Sequence, residues 1–263
     1  MLERFPVTVP LPNGKKEERM AYIYLPDNYY KNRWKRYPVL YMFDGHNVFV
    51  DEDASFGKSW GMKDFMDRTR TPLIIAAVEC NHDPDNGRLK EYSPYTFEDA
   101  QYGIIKGRGR TTMNWFINYF KRNVDRKYRT LPDRDHTFIA GSSMGGLMSL
   151  YALLEYNQVF SRAAALSPSL WTAPDKLAEM IEKANVDPNT VLYMDYGSEE
   201  FDNHDNMHND FCELSSMLLK KGIMMNLRIV PGGSHCEASW EEQVPFFMRT
   251  LLYHLPKPSR RDR

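Results

Sequence analysis

The sequence has 263 residues, and its 34 Lys and Arg against 35 Asp and Glu give a formal net charge of -1. Nucleic acids and anionic membranes attract chains with a basic excess, so we expect neither as a partner. Three cysteines are too few and too scattered for a disulfide framework, and no apolar run reaches the roughly 18 residues of a membrane-spanning helix. Because the N-terminus also lacks a signal-peptide pattern, we expect a cytoplasmic globular protein, whose oligomeric state the sequence does not reveal.

The first predicted elements are antiparallel strands. Residues 20–25 are rich in β-forming side chains, and residues 10–15 supply a turn before them. From residue 38 onward, short apolar runs bounded by turn residues predict buried strands. These runs cover residues 39–43, 73–78, 137–140, 163–166, 191–194 and 227–230.

Helices are predicted between several of these runs. Apolar side chains recur at steps of three and four within residues 115–120, 147–154, 211–218 and 244–252. Strands that are apolar on both faces and alternate with helices indicate a mostly parallel sheet with helices on both sides. We therefore predict an α/β fold in a single domain over residues 1–255, with antiparallel strands at its start and a disordered basic tail over residues 256–263.

One motif in this pattern carries chemistry. Residues 141–146 read Gly-Ser-Ser-Met-Gly-Gly, directly after a predicted strand and before a predicted helix. This is G-x-S-x-G in the strand–turn–helix setting of a nucleophile elbow, where a tight turn presents the serine hydroxyl. We predict that Ser143 is a nucleophile and that the backbone N–H of Met144 stabilises an oxyanion.

A serine nucleophile needs a base, and in this architecture the base follows the last strand. His235 ends a Gly-Gly-Ser-His sequence at that place and fits better than the other six histidines. The acid is expected after the strand at residues 191–194, where Glu199, Glu200 and Asp202 stand. Only one carboxylate can orient the imidazole, and we choose Glu200, with Asp202 and Glu199 as the alternatives.

A second oxyanion donor is expected after the strand at residues 39–43. The next four residues read Asp-Gly-His-Asn, in which Gly45 permits a bend. We predict that the backbone N–H of His46 is this donor. The alternative is that His46 is an ordinary loop residue whose ring has no chemical role.

Together these residues resemble the putative-esterase family of α/β-hydrolases. That family includes feruloyl and acetyl-xylan esterases, enterochelin-esterase-like proteins, esterase D and the antigen 85 mycolyltransferases. The resemblance extends from about residue 20 to residue 255, and its motifs lie at residues 44–47, 141–146, 167–171 and 232–235. It implies an α/β-hydrolase fold, with Ser143 as nucleophile, His235 as base, Glu200 as acid, and Met144 and His46 as oxyanion donors.

The predicted function is that of a serine esterase, a carboxylic-ester hydrolase that acts through an acyl-enzyme on a small-molecule ester. The resemblance favours aryl (feruloyl-type) or acetyl esters of sugars or phenolics. Four alternatives stay open: an acyltransferase on the same fold, a siderophore or thioester hydrolase, a non-catalytic carbohydrate-binding relative, and a metal-dependent hydrolase.

Four residues are expected to bind the substrate. Trp171 and Trp60 follow predicted strands at the edge where this type of sheet binds ligands. Asn47 and Arg88 lie in the two stretches that look most like the bacterial branch of the family, which holds small esterases and feruloyl-esterase-like proteins.

Two other patterns in the sequence resemble a metal site and a phosphate-binding loop, but neither is complete. His204 and His208 stand four residues apart, as metal-binding histidines can, but the adjacent Glu of H-E-x-x-H is absent and no third ligand is apparent. Residues 103–110 are rich in glycine and basic side chains, yet they lack Walker spacing and are interpreted as a flexible rim loop. We predict no metal site and no cofactor.

Overall fold

The computed structural model describes residues 1–11, 14–204 and 206–256. Most of the predicted tail, from residue 257 onward, lies outside the described residues. The strands are β1 Leu2–Pro10, β2 Lys16–Tyr24, β3 Val39–Met42, β4 Ile74–Val78, β5 Phe97–Asp99, β6 Gly103–Ile105, β7 Thr137–Ser142, β8 Arg162–Leu166, β9 Val191–Gly197 and β10 Met224–Val230. The helices are α1 Met62–Thr69, α2 Gly87–Glu91, α3 Gly109–Trp115, α4 Arg122–Lys127, α5 Met144–Glu155, α6 Pro174–Lys183, α7 Met207–Lys220 and α8 Glu237–Leu251.

Eight of these strands form one sheet in the order β1-β2-β4-β3-β7-β8-β9-β10. The β1–β2 and β2–β4 pairs are antiparallel, and all the other pairs of this sheet are parallel. The prediction of a mostly parallel sheet with an antiparallel start is confirmed. The fold is that of an α/β-hydrolase.

Successive side chains of a strand point to opposite faces of the sheet. Because the side chains on both faces are apolar, helices cover both faces. Leu40 and Phe138 pack in a core with α1 and α8, through side chains such as Met66 and Phe247. Tyr41 and its neighbours on adjacent strands face the other side, where α3, α4, α5, α6 and α7 contribute to a second, larger core. None of the helices within the described ranges combines the length and apolar character needed to cross a membrane.

Two local features differ from the sequence prediction. The segment predicted as a flexible rim loop forms β6, which pairs with β5 in a separate hairpin, and then the start of α3. A Cβ at Gly109 would lie 2.8 Å from the backbone nitrogen of Pro94, so this segment is packed rather than free. Between α3 and α4 the helix continues through a π-helical stretch, Phe116–Lys121.

The carboxyl ends of five parallel strands meet at one edge of the sheet. The residues that follow them are Asp44 after β3, Ser143 after β7, Ser167 after β8, Glu200 after β9 and His235 after β10. Open α/β sheets bind ligands at this edge. The fold therefore gathers side chains that lie almost 200 residues apart in the sequence.

Candidate active site

Ser143 occupies a strained turn between β7 and α5. Its backbone has φ 58° and ψ -123°, a conformation that residues other than glycine rarely adopt. Holding a serine in this conformation costs about 1–3 kcal/mol of folding free energy. The turn is also too tight for a side chain at Gly141, where a Cβ would lie 2.6 Å from the backbone carbonyl of Gly145. Strain of this kind persists only where packing enforces it, and here it directs the Ser143 hydroxyl toward the sheet edge.

His235 is held by a carboxylate. Its Nδ1 lies 2.6 Å from Oε2 of Glu200, which is 1% exposed. The other oxygen of Glu200 accepts hydrogen bonds from the backbone N–H of Gly197 at 2.9 Å and from the hydroxyl of Ser167 at 2.7 Å. Trp240 donates its indole N–H to the same hydroxyl at 3.0 Å. Hydrogen bonds thus fix both carboxylate oxygens of Glu200. The bond to His235 uses Nδ1 of the ring and leaves Nε2 available for proton transfer.

The two alternative acids lie elsewhere. Glu199 and Asp202 are exposed, and neither contacts the imidazole of His235. Of the three carboxylates predicted for this role, the structure brings Glu200 alone to the histidine.

Ser143 and His235 line one cavity of about 460 Å³. Within the described residues the Ser143 hydroxyl has a hydrogen-bond partner in Ser169 Oγ, at 3.5 Å, and makes no direct bond to His235. Hydrogen bonds between a nucleophile and its base commonly tighten in the complex with substrate. The serine and the histidine therefore share a cavity in which an ester could lie between them.

The predicted oxyanion donors lie beside this cavity. Met144 is the first residue of α5, where backbone N–H groups have no partner within the helix. His46 is buried in a short 3-10 turn, Gly45–Asn47, and lines the cavity. This turn packs against the sheet so closely that a Cβ at Gly45 would lie 2.9 Å from the backbone nitrogen of Val78.

Arg88, which was predicted to bind substrate, lines the cavity and is also paired with a carboxylate. Its Nε and one terminal nitrogen each donate to an oxygen of Asp44 at 2.8 Å, so the fork of the guanidinium is already occupied. Burial raises the pKa of Asp44, but the charge and the hydrogen bonds of Arg88, with a smaller contribution from His46, together outweigh burial and hold that pKa below its usual value. Since Asp44 precedes the turn that carries His46, Arg88 positions the predicted oxyanion loop.

Asn47 and Trp60 line the cavity, as predicted, but both are also tied to the protein. The Asn47 amide donates to Glu237 at 3.2 Å and accepts from the backbone of Ser55 at 3.0 Å. Trp60 is 3% exposed and packs against Trp240. These two residues shape the wall of the cavity.

Trp171 is not brought to the cavity that Ser143 and His235 line. Its ring stacks on His204, with centroids 3.9 Å apart, and meets the edge of Phe97. It follows β8, as predicted, in the short 3-10 turn Leu170–Thr172, and its role in substrate binding stays a prediction. The direction of a side chain in a 3-10 turn depends on the neighbours that the fold supplies.

His204 and His208 pack against different aromatic rings. His208 packs against Phe201 with ring centroids 5.0 Å apart, and its Nδ1 lies 4.0 Å from Sγ of Cys212. His204 packs against Trp171 instead, and the residue after it lies outside the described residues.

The sequence prediction missed several residues of the site. Phe56 lines the cavity and is 79% exposed, so its ring is available at the rim. Ser167 orients the acid, although the sequence showed it only within a family motif. Phe56 could have been noticed in the sequence because it is an aromatic residue in a polar, turn-rich segment. For Ser167, no feature of the neighbouring sequence indicated a contact with the acid.

The fold and this arrangement define an α/β-hydrolase. A model of the putative-esterase family matches residues 13–251, and the chain belongs to that family. Membership supports an esterase function, the hydrolysis of carboxylic esters. A curated relative, named uncharacterized protein YbbA of Bacillus subtilis (strain 168), is 25% identical over 193 residues, which are 72% of each chain.

Solved structures share the fold at low sequence identity. An IroE-like serine hydrolase from Shewanella oneidensis has a TM-score of 0.68 and 20% identity, with 99% of this chain and 91% of that chain covered. A ferulic acid esterase has a TM-score of 0.64 and 18% identity, with 95% of this chain and 97% of that chain covered.

Proposed function

We propose that the protein is a serine carboxylic-ester hydrolase that works through an acyl-enzyme. The observation that carries the proposal is that Ser143, in a strained nucleophile elbow, and His235, bonded to the buried carboxylate of Glu200, open onto one cavity. A serine hydroxyl, a base and an orienting acid are the parts that acyl transfer needs.

In the proposed acylation step, Ser143 Oγ attacks the ester carbonyl while His235 Nε2 takes the hydroxyl proton. Glu200 stabilises the imidazolium that forms, because its Oε2 accepts the hydrogen bond from Nδ1. The N–H groups of Met144 and His46 stabilise the oxyanion. The tetrahedral intermediate then collapses, and the imidazolium protonates the departing alcohol.

Deacylation repeats these steps with water as the nucleophile. His235 takes a proton from the water, which attacks the acyl carbonyl on Ser143. Collapse of the second intermediate releases the acid, and the proton returns to Ser143 Oγ. No group other than the ester and water is consumed.

We further propose aryl, feruloyl-type esters, or acetyl esters of sugars or phenolics, as substrates. A cavity of about 460 Å³ is in the range that takes drug-sized ligands. Phe56 at the rim offers a ring on which an aryl or sugar group can stack, and the buried Trp60 shapes the wall. The fold shared with a ferulic acid esterase is consistent with this choice.

A fluorophosphonate probe tests the nucleophile. The wild-type protein and Ser142→Ala, which changes the adjacent serine, should be labelled, whereas Ser143→Ala should not. Mass spectrometry of the labelled peptide identifies the modified residue. Full ester hydrolysis by Ser143→Ala would refute the proposal.

The substrate class is tested with esters varied separately in their acyl and alcohol parts. Phe56→Ala should raise KM for feruloyl esters several-fold and leave KM for acetyl esters unchanged, because only the aryl group stacks. Trp34→Ala is the matched control, since Trp34 is 89% exposed and lies outside the cavity lining. Equal effects of Phe56→Ala on both ester classes would contradict aryl stacking.

A further inference from the structure

Three potential metal ligands lie together in the wall of the cavity, and the proposed reaction uses none of their side chains. They are His46, Cys80 and His82. One ring nitrogen of each histidine and the Cys80 Sγ lie within 4.8 Å of one another. It is the one such group of three that the described part of the chain holds.

His46 is the most unusual member of the group. It is 7% exposed, and its Nδ1 is buried without a hydrogen-bond partner among the described residues. A buried polar atom left in this way costs about 1–3 kcal/mol.

The charges around the group suit a cation. Asp44, whose charge acts on His46, is itself paired with Arg88. The pair leaves little net positive charge to oppose a metal ion. When a metal binds, the thiol proton of Cys80 leaves to solvent as the metal–sulfur bond forms.

We propose that His46, Cys80 and His82 bind Zn²⁺, with the fourth position open to the cavity. Two imidazoles and one thiolate form a donor set that zinc takes in proteins. Tetrahedral zinc, with bonds of about 2.0–2.3 Å, keeps its ligand atoms about 3.3–3.6 Å apart. A separation from His82 at the 4.8 Å limit therefore has to contract by about 1.2–1.5 Å, which the exposed His82 can supply by moving.

Bound zinc inhibits the esterase in this scheme. A ligand bond to the His46 ring pulls on the turn whose N–H stabilises the proposed oxyanion, and misplacement by about 1 Å can cost about 100-fold in rate. The inhibition rests on the proposed function. The binding of zinc does not.

Calorimetric titration of the metal-free protein with zinc chloride tests the binding. We expect one zinc per chain, and at least tenfold weaker binding by His82→Ala and by Cys80→Ser, because each change removes one ligand. Binding of Co²⁺ should produce a thiolate-to-cobalt charge-transfer band in the wild type and not in Cys80→Ser. Two cysteine controls, Cys212→Ser beside His208 and Cys236→Ser beside His235, should bind zinc as the wild type does.

Zinc affinity unchanged in both His82→Ala and Cys80→Ser would overturn the site, as would loss of binding in Cys236→Ser. Inhibition is measured as the fraction of each variant's own metal-free rate. Stoichiometric binding without any loss of rate refutes the inhibitory part alone. If no ester is turned over by the wild type, the proposed function fails while the calorimetric and cobalt measurements still decide the metal site.

Discussion

Asp195 is a buried carboxyl group in β9 whose protonation should control stability. It is 2% exposed and accepts hydrogen bonds from the Tyr193 hydroxyl at 2.7 Å and from the backbone N–H of Ser167 at 3.1 Å. Burial raises its pKa to about 7, the nearby charge of Glu200 adds to this, and the two hydrogen bonds and Arg228 oppose it. The folded protein therefore holds a proton on Asp195 that the unfolded chain, with an aspartate pKa of about 3.9, releases.

The sign of the pH dependence follows from proton binding. Between about pH 4 and pH 7 the folded state binds one proton more than the unfolded state at this group, so stability falls as pH rises. The slope is about 1.4 kcal/mol per pH unit, which gives a loss of about 2 kcal/mol between pH 5 and pH 7. Over the whole shift of about three pH units the loss approaches about 4 kcal/mol.

The substitution Asp195→Asn replaces the titrating carboxyl group with an amide of nearly the same shape, which does not titrate. The amide oxygen can accept from the Ser167 N–H, and the amide nitrogen can donate to the Tyr193 hydroxyl. Urea unfolding of the wild type and of Asp195→Asn, from pH 5 to pH 8, gives the difference between their free energies of unfolding at each pH. The other titrating groups are the same in both proteins, so their effects cancel in this difference. We expect the variant to gain stability relative to the wild type as pH rises. Parallel profiles would refute the reasoning.

Three further changes test the site. Glu200→Gln should lower kcat by about 10³–10⁴ with little change in KM, because the imidazolium loses its partner; rates like the wild type would exclude Glu200 as the acid. Arg88→Met should leave the charge of Asp44 buried and unpaired, and we expect urea unfolding to show a loss of about 3–5 kcal/mol together with a lower kcat. Gly141→Ala should destabilise the fold by more than about 2 kcal/mol, because its Cβ meets the Gly145 carbonyl; unchanged stability would show that the turn can relax.

Much of the fold could be predicted because its signals are local. The parallel strands are buried on both faces, so each is a short apolar run, and β3, β4 and β8 begin within one residue of the predicted positions. The elbow at Ser143 was recognisable for the same reason, since its glycines adjoin the serine. In contrast, the pairing of β5 with β6 depends on two three-residue strands, too short to show a period.

Side chains whose partners are distant in the sequence could not be paired from the sequence. Arg88 pairs with Asp44, which lies 44 residues away and meets it only where β3 and α2 come together. His46 and Cys80 are likewise brought together only by the packing of β3 beside β4. Spacing rules detect ligands that share one helix or loop, not ligands on neighbouring strands.

The three candidate acids show which contacts the fold adds to the information in the sequence. Glu199, Glu200 and Asp202 share one turn after β9, and all have the chemistry for the role. The parallel pairing of β9 with β10 brings Gly197 against the loop that carries His235, so closely that a Cβ on Gly197 would lie 2.3 Å from the Gly233 carbonyl carbon. Only the inner side of the turn then faces the histidine, and Glu200 points there because the Ser167 hydroxyl and the Gly197 N–H satisfy its second oxygen.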